Sequence, residues 1–118
     1  LSRHWRPNNP GHVLIVPTLH IENIYELPFH LSDRIHRFAK VVAIAFKAIY
    51  RCDGVSTRQH NEPAGNQDVW HYHLHVFPRY VGDALYKSPK LEAPQSERGH
   101  HARLLKDYFD ANPPVLDE

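Results

Sequence analysis

The pattern of hydrophobic and polar positions predicts a β-strand from Val69 to Tyr80. Within it, imidazole side chains alternate with apolar or aromatic ones over residues 71–77. A period of two is typical of a strand with one buried face. The histidines of this stretch should therefore share one face, with neighbouring imidazoles about 6.5 to 7 Å apart. Tyr72, Leu74 and Val76 are expected to point the opposite way, into a core.

The same kind of pattern predicts the other elements. Apolar residues repeat at helical spacing at Ile35, Phe38, Val42, Ala45 and Ile49. Because Ser32 is a favourable N-cap, we predict the main amphipathic helix over 32–51. Ser96 is expected to cap a second helix, which Asn112-Pro113-Pro114 ends. The remaining predictions are an edge strand in Leu1–Pro10, a central strand at Gly11–Pro17, a short strand at Val55–Asn61 and a loop at 81–95.

Length and composition limit the class of protein. The 118 residues are enough for one domain with a buried core, and we expect a single domain over 1–118 with 113–118 as a tail. The formal net charge of +1 and scattered Lys and Arg do not favour nucleic-acid binding. No apolar run approaches the roughly 18 to 20 residues that span a bilayer, so no membrane partner is expected.

Two further observations concern the surroundings and the beginning of the chain. The single Cys52 cannot form an internal disulfide, which favours a reducing, cytoplasmic location. The chain begins at Leu1 and contains no Met. We therefore expect that a further N-terminal segment precedes it.

His71, His73 and His75 are the candidate chemical groups, and three interpretations of their spacing are open. Chance alternation in a chain with 11 histidines would give imidazoles that only titrate near pH ~6.5. A shared metal would need ligands from elsewhere, because side chains in a row along one strand splay outward. In nucleophilic catalysis, a neutral imidazole attacks through one ring nitrogen while a hydrogen bond holds the other. His73 suits this role, since the imidazoles on either side can orient its ring and share protons.

Three blocks of the chain together resemble the histidine-triad (HIT) superfamily. Residues 71–77 match its alternating histidine motif, residues 10–17 its Pro-Gly-His strand and residues 61–69 its phosphate loop. In that loop, small or constrained residues at 63–65 let backbone N–H groups approach an anion. Residues 78–83 are most similar to the fragile-histidine-triad branch, which hydrolyses dinucleoside polyphosphates. The resemblance implies a homodimer and an α+β fold: an antiparallel sheet of about five strands, one long helix and a C-terminal helix.

The resemblance also implies roles for individual residues. His73 would be the nucleophile, His75 would bind the phosphate or the leaving-group oxygen, and His71 would support them. Gln67 corresponds to an amide close to the scissile phosphate. His12 would be a buried partner of the triad histidines. The full set of expected substrate contacts is Asn61, Asn66, Gln67, Asp68, Val69 and His4.

These assignments imply a nucleotide hydrolase or transferase that acts at an α-phosphate through a nucleotidyl-histidine. The leading substrates are dinucleoside polyphosphates such as diadenosine tri- or tetraphosphate, so adenine nucleotides are the expected partners. No metal site and no cofactor are required, although a divalent cation such as Mg²⁺ would arrive bound to a polyphosphate. Two alternatives are open: a hydrolase of nucleoside phosphoramidates or adenylylated amines, and a nucleotide-binding or sensing protein with little turnover.

Overall fold

The fold is organised around a three-stranded antiparallel sheet with two helices. The structure is a computed structural model that describes residues 4–5, 9–87, 91–92 and 94–116, and only the backbone of residues 4 and 5. Its elements in chain order are β1 (His4–Trp5), β2 (Val13–Ile15), α1 (Phe29–Tyr50), β3 (Gly54–Arg58), β4 (Leu74–Arg79), β5 (Leu91–Glu92) and α2 (Gln95–Ala111). Short 3-10 turns lie at Ile24–Glu26, Pro63–Gly65 and Leu85–Lys87. Neither helix of the described residues is both long and apolar enough to cross a bilayer.

The strands are divided between two sheets. The main sheet has the order β2-β4-β3, and a separate antiparallel ribbon joins β1 to β5. The α+β class with an antiparallel sheet and two helices is confirmed. The prediction of one sheet with about five strands is wrong for the described residues, since the larger sheet has three.

β4 is the middle strand of the main sheet. Val76 of β4 pairs with Val13 on one side and with Thr57 on the other. The prediction that Gly11–Pro17 holds the central strand is therefore wrong, because β2 lies at the edge of this sheet. An apolar run shows that a strand is buried, but it does not show which strands lie beside it. The predicted 81–95 loop also contains a strand, β5.

Helix α1 begins before the predicted N-cap. Pro28 occupies the N-cap position, and its carbonyl accepts the backbone N–H groups of Leu31 and Ser32. Ser32 therefore lies inside the first turn. The prediction that Phe38 belongs to the buried face of α1 is wrong, because its side chain is 38% exposed. The buried face contains Ala39 instead. The buried residues of α1 are Ile35, Ala39, Val42, Ala45 and Phe46.

The core lies between α1 and one face of the sheet. Val76 packs with Val42 and Phe46 of α1, and Leu105 and Phe109 of α2 cover the same cluster. A second cluster holds Ile21, Ile35 and Tyr72, with Leu74 packed against it. The prediction that Tyr72, Leu74 and Val76 point into a core is confirmed.

Helix α2 begins at Gln95, with Pro94 rather than Ser96 at the N-cap position. It ends at Ala111, as predicted from Pro113 and Pro114. The tail after the helix contacts the body, since the carbonyl of Leu116 accepts a hydrogen bond of 2.8 Å from Arg37. Residues 117–118 lie outside the described residues.

A buried carboxylate joins the chain before β2 to the end of β4 and the residues that follow it. Asp83 is 7% exposed, and Arg79 donates two hydrogen bonds of 2.8 Å to its two oxygens. Asn9 Nδ2 and the backbone N–H groups of Tyr80 and Leu85 donate to the same carboxylate. The Arg79 guanidinium holds the pKa of this carboxyl well below its usual range, against the opposing effect of burial.

Candidate active site

Of the three triad histidines, only His75 lies on a strand. Because β4 begins at Leu74, the predicted strand from Val69 to Tyr80 is too long at its N-terminal end. The residues before Leu74 pair with the connection that follows β2, where the Tyr72 N–H donates to the Ile21 carbonyl at 2.6 Å. Backbone groups used in this way do not join the sheet ladder.

His71 is bound to this same connection. Its Nε2 lies 2.9 Å from the carbonyl oxygen of Pro17. Because a carbonyl oxygen only accepts, Nε2 carries the hydrogen. The edge of the His20 ring packs against His71 with ring centres 5.3 Å apart. The role that this geometry supports for His71 is to tie the triad segment to the chain after β2.

One ring nitrogen of His73 is occupied by the backbone of His71. Nδ1 lies 2.8 Å from the carbonyl oxygen of His71, so Nδ1 carries the hydrogen and donates. The neutral ring then has its lone pair on Nε2. A fixed tautomer with an unprotonated second nitrogen is what nucleophilic attack by imidazole requires.

His75 has ring contacts with His12, His60, His73 and Phe77. Its ring centre lies 4.8 Å from that of His73, and its Nδ1 lies 2.8 Å from Nε2 of His12. One nitrogen of this pair must carry a hydrogen that the other accepts. His12 is 7% exposed and stacks on Phe77 with ring centres 3.9 Å apart. The structure thus brings His73, His75 and His12 together, and their catalytic roles stay predictions.

The position of His12 depends on close packing behind the preceding residue. Gly11 has φ of +92°, and a Cβ there would lie 2.6 Å from Cζ of Tyr50. The Tyr50 hydroxyl lies 2.8 Å from Nδ1 of His101. Burial, with a smaller effect of Tyr80, raises the pKa of Tyr50 to about 12, so its hydroxyl keeps its hydrogen while it is bonded to His101. Helix α2 thereby supports the segment that carries His12.

Replacing Gly11 with alanine should lower the free energy of unfolding by about 2 kcal/mol or more, because the new Cβ meets the Tyr50 ring and an L-residue is strained at this φ. Chemical denaturation followed by circular dichroism measures the change. Gly99→Ala is the matched control, since no atom lies within 4 Å of its Cβ position. A control as destabilised as Gly11→Ala would contradict the packing argument.

The Gln67 side chain binds the protein itself. It is 6% exposed, and its Oε1 accepts the backbone N–H of Glu62 at 2.7 Å. Its Nε2 donates to the carbonyls of Glu22 and Val69 at 2.7 and 3.1 Å. Both ends of the amide thus bind the protein, which helps to fix the shape of the loop. The predicted contact of Gln67 with phosphate stays a prediction.

The loop backbone forms hydrogen bonds within its own turn. Glu62 and Asn66 have φ of 65° and 71° on either side of the 3-10 turn at Pro63–Gly65. The N–H groups of Gly65 and Gln67 donate to the Glu62 carbonyl, and that of Asn66 donates to the Pro63 carbonyl. These three N–H groups hold the turn together, and phosphate binding by the loop stays a prediction.

The other expected substrate contacts occupy different environments. Asn61 is held in place, because its Oδ1 accepts from the Ile24 N–H at 2.8 Å and from Gln59 at 2.7 Å. The exposed loop residues are Asn66, Asp68 and Val69. The backbone of His4 pairs with Glu92 in the ribbon, and its side chain lies outside the described residues.

Sequence reasoning missed two imidazoles beside the triad, His20 at His71 and His60 at His75. The His60 ring centre lies 6.3 Å from that of His75. His60 falls outside the alternating motif, and only its place next to Asn61 could have drawn attention to it. Among the described residues, no group of three or more His, Cys, Asp or Glu side chains is arranged to hold a metal ion.

Comparison with known proteins identifies the family. The model of the HIT domain matches residues 1–82, which is more than half of the chain and includes His12 and all three triad histidines. The chain belongs to the HIT domain family. This HIT protein also has the fold of solved HIT structures. The HIT-like protein of Bartonella henselae aligns with a TM-score of 0.81 at 26% identity, covering 91% of this chain and 76% of that one.

This HIT protein aligns with only part of the length of each of two curated relatives. It is 36% identical over 70 residues to Protein hit of Bacillus subtilis, covering 59% of this chain and 48% of that protein. It is 33% identical over 86 residues to bis(5'-adenosyl)-triphosphatase of Saccharomyces cerevisiae, covering 69% and 42%. The chain thus spans about half the length of the curated relatives it matches.

Proposed function

We propose that this HIT protein is a nucleotide hydrolase or transferase that acts at an α-phosphate through a nucleotidyl-His73 intermediate. The observation that carries the proposal is the contact of 2.8 Å between His73 Nδ1 and the His71 carbonyl. It fixes the tautomer in which Nε2 holds the lone pair. Family membership supports the same chemistry, because the triad lies within the matched residues.

The proposed reaction has two displacements at phosphorus. First, the Nε2 lone pair of His73 forms a P–N bond, the bridging P–O bond breaks, and its electron pair leaves on the leaving-group oxygen. The resulting imidazolium keeps its Nδ1–H bond to the His71 carbonyl, which stabilises the positive charge. Water then attacks phosphorus, the P–N bond breaks, and the pair returns to His73. The water proton is accepted within the His75–His12 pair and passes to solvent.

We propose dinucleoside polyphosphates, with adenine as the base, as the substrates. The similarity to the yeast bis(5'-adenosyl)-triphosphatase and the fragile-histidine-triad character of residues 78–83 support this class. We further propose one domain over 1–118, a homodimer and no protein-bound metal, with Mg²⁺ arriving on the polyphosphate.

Hydrolysis of diadenosine triphosphate in ¹⁸O-labelled water tests the proposal. Attack at the α-phosphate should give AMP and ADP, and mass spectrometry should find the label in AMP, because water enters at the phosphorus that His73 held. Label in ADP alone would contradict attack at that position. Tight nucleotide binding without any product would contradict the enzyme and favour a nucleotide-sensing protein.

A further inference from the structure

The face of the sheet that carries His75 continues onto β3. Arg58 pairs directly with His75, and Ser56 pairs with Phe77. Directly paired residues of antiparallel strands project to the same face, about 4.5 to 5.5 Å apart at Cβ. Arg58 is therefore the side-by-side neighbour of His75, on the face opposite the α1 core.

Two aromatic rings hold the Arg58 guanidinium. Its Cζ lies 5.0 Å from the ring centre of Phe77 and 5.4 Å from that of Tyr86. Such contacts orient a guanidinium while it keeps its charge. The Cζ of Arg79 lies 5.1 Å from the same Tyr86 ring.

His60 adds a second donor beside the triad. It lies two residues after Arg58, so the alternation of an extended chain brings it to the same side, and its ring centre is 6.3 Å from that of His75. The ring is half-buried, and an imidazole N–H can donate to a phosphate oxygen. Arg58 and His60 are thus neighbours of His75 from the β3 segment, and the ring centre of His73 lies 4.8 Å from that of His75.

We propose that Arg58 and His60 form a subsite for the phosphates of the leaving group, beyond the phosphorus that His73 attacks. This inference rests on the proposed function. A guanidinium binds phosphate oxygens in a two-point arrangement, and His75 neighbours Arg58 and His60 as well as the nucleophile. The ligand class is a chain of two or more phosphates. A small neutral leaving group such as ammonia would not reach the subsite.

A comparison of leaving groups tests the subsite. For Arg58→Gln we expect kcat/KM for diadenosine tetraphosphate to fall about tenfold or more. With adenosine 5'-phosphoramidate, whose leaving group is ammonia, the change should stay within about twofold, because no phosphate leaves. Arg58→Lys keeps the charge and should restore part of the loss. Arg103→Gln, on the exposed side of α2, is the control and should change neither value.

A binding measurement separates this inference from the proposed function. Calorimetry with inorganic tripolyphosphate should show affinity about tenfold weaker for Arg58→Gln, and His60→Ala should weaken it less. The affinity for AMP should not change. Equal losses on both substrates, or unchanged tripolyphosphate affinity, would overturn the subsite. Absence of turnover by the unsubstituted protein, together with weakened tripolyphosphate binding in Arg58→Gln, would keep the subsite and sink the proposed function.

Discussion

Replacing His73 with alanine should lower the rate of diadenosine triphosphate hydrolysis by at least about 10³-fold, because it removes the nucleophile rather than a binding contact. Rapid-quench experiments with a radiolabelled dinucleotide measure the single-turnover rate. Acid-labile label on the unsubstituted protein, and its absence from His73→Ala, would identify the nucleotidyl intermediate. The nucleotide affinity should change much less than the rate.

His36→Ala is the matched control, because His36 is an exposed imidazole on α1. Its rate should equal that of the unsubstituted protein. If His73→Ala turned over as fast as this control, His73 would not be the nucleophile, and the tautomer argument would lose its functional meaning.

Replacing Asp83 with alanine should cost about 3 kcal/mol or more of the free energy of unfolding, the largest stability effect expected here. The substitution leaves the Arg79 guanidinium, Asn9 Nδ2 and two backbone N–H groups without the carboxylate they share. Urea denaturation measures the change. Asp83→Asn keeps an oxygen acceptor and should lose less.

An exposed pair of the same type provides the control. Nζ of Lys106 lies 2.7 Å from Oδ2 of Asp110, and the two side chains are 67% and 64% exposed. Asp110→Ala should therefore leave the free energy of unfolding nearly unchanged. A loss for Asp83→Ala as small as that of the control would show that burial does not strengthen the dependence on the Asp83 carboxylate.

The depressed pKa of Asp83 also predicts a pH dependence. The ionised carboxyl stabilises the folded protein above pH ~4, the ordinary range for aspartate in an unfolded chain. Since the folded protein holds the pKa lower, this contribution decreases as the pH falls toward that lower pKa. The unfolding free energy of Asp83→Asn should consequently depend less on pH between about 4 and 2.

The sequence predicted the local alternation of the triad region well and its surroundings less well. Tyr72 and Val76 reach the core as the period-two pattern indicates, because side-chain alternation is a local property of extended chain. The extent of the strand was wrong because the Tyr72 N–H pairs with the Ile21 carbonyl. No pattern within residues 69–80 contains that distant partner.

The phosphate loop shows a second limit. The position of Gln67 in a known motif gave no sign that its amide would bind Glu62, Glu22 and Val69. A motif gives the residue type at a position, but not whether that side chain is already satisfied by the protein. Arg58 was missed for a related reason, because its nearness to His75 depends on the strand register.

The contact between Tyr50 and His101 helps to define which part of the chain is needed to keep the candidate site in shape. The match to the family model ends at residue 82. His101 of α2 nevertheless forms a hydrogen bond with Tyr50, whose ring packs against Gly11. Shortening the protein to its recognisable portion would remove the brace behind His12. The part of the chain that supports His12 therefore extends beyond the residues that the family model matches.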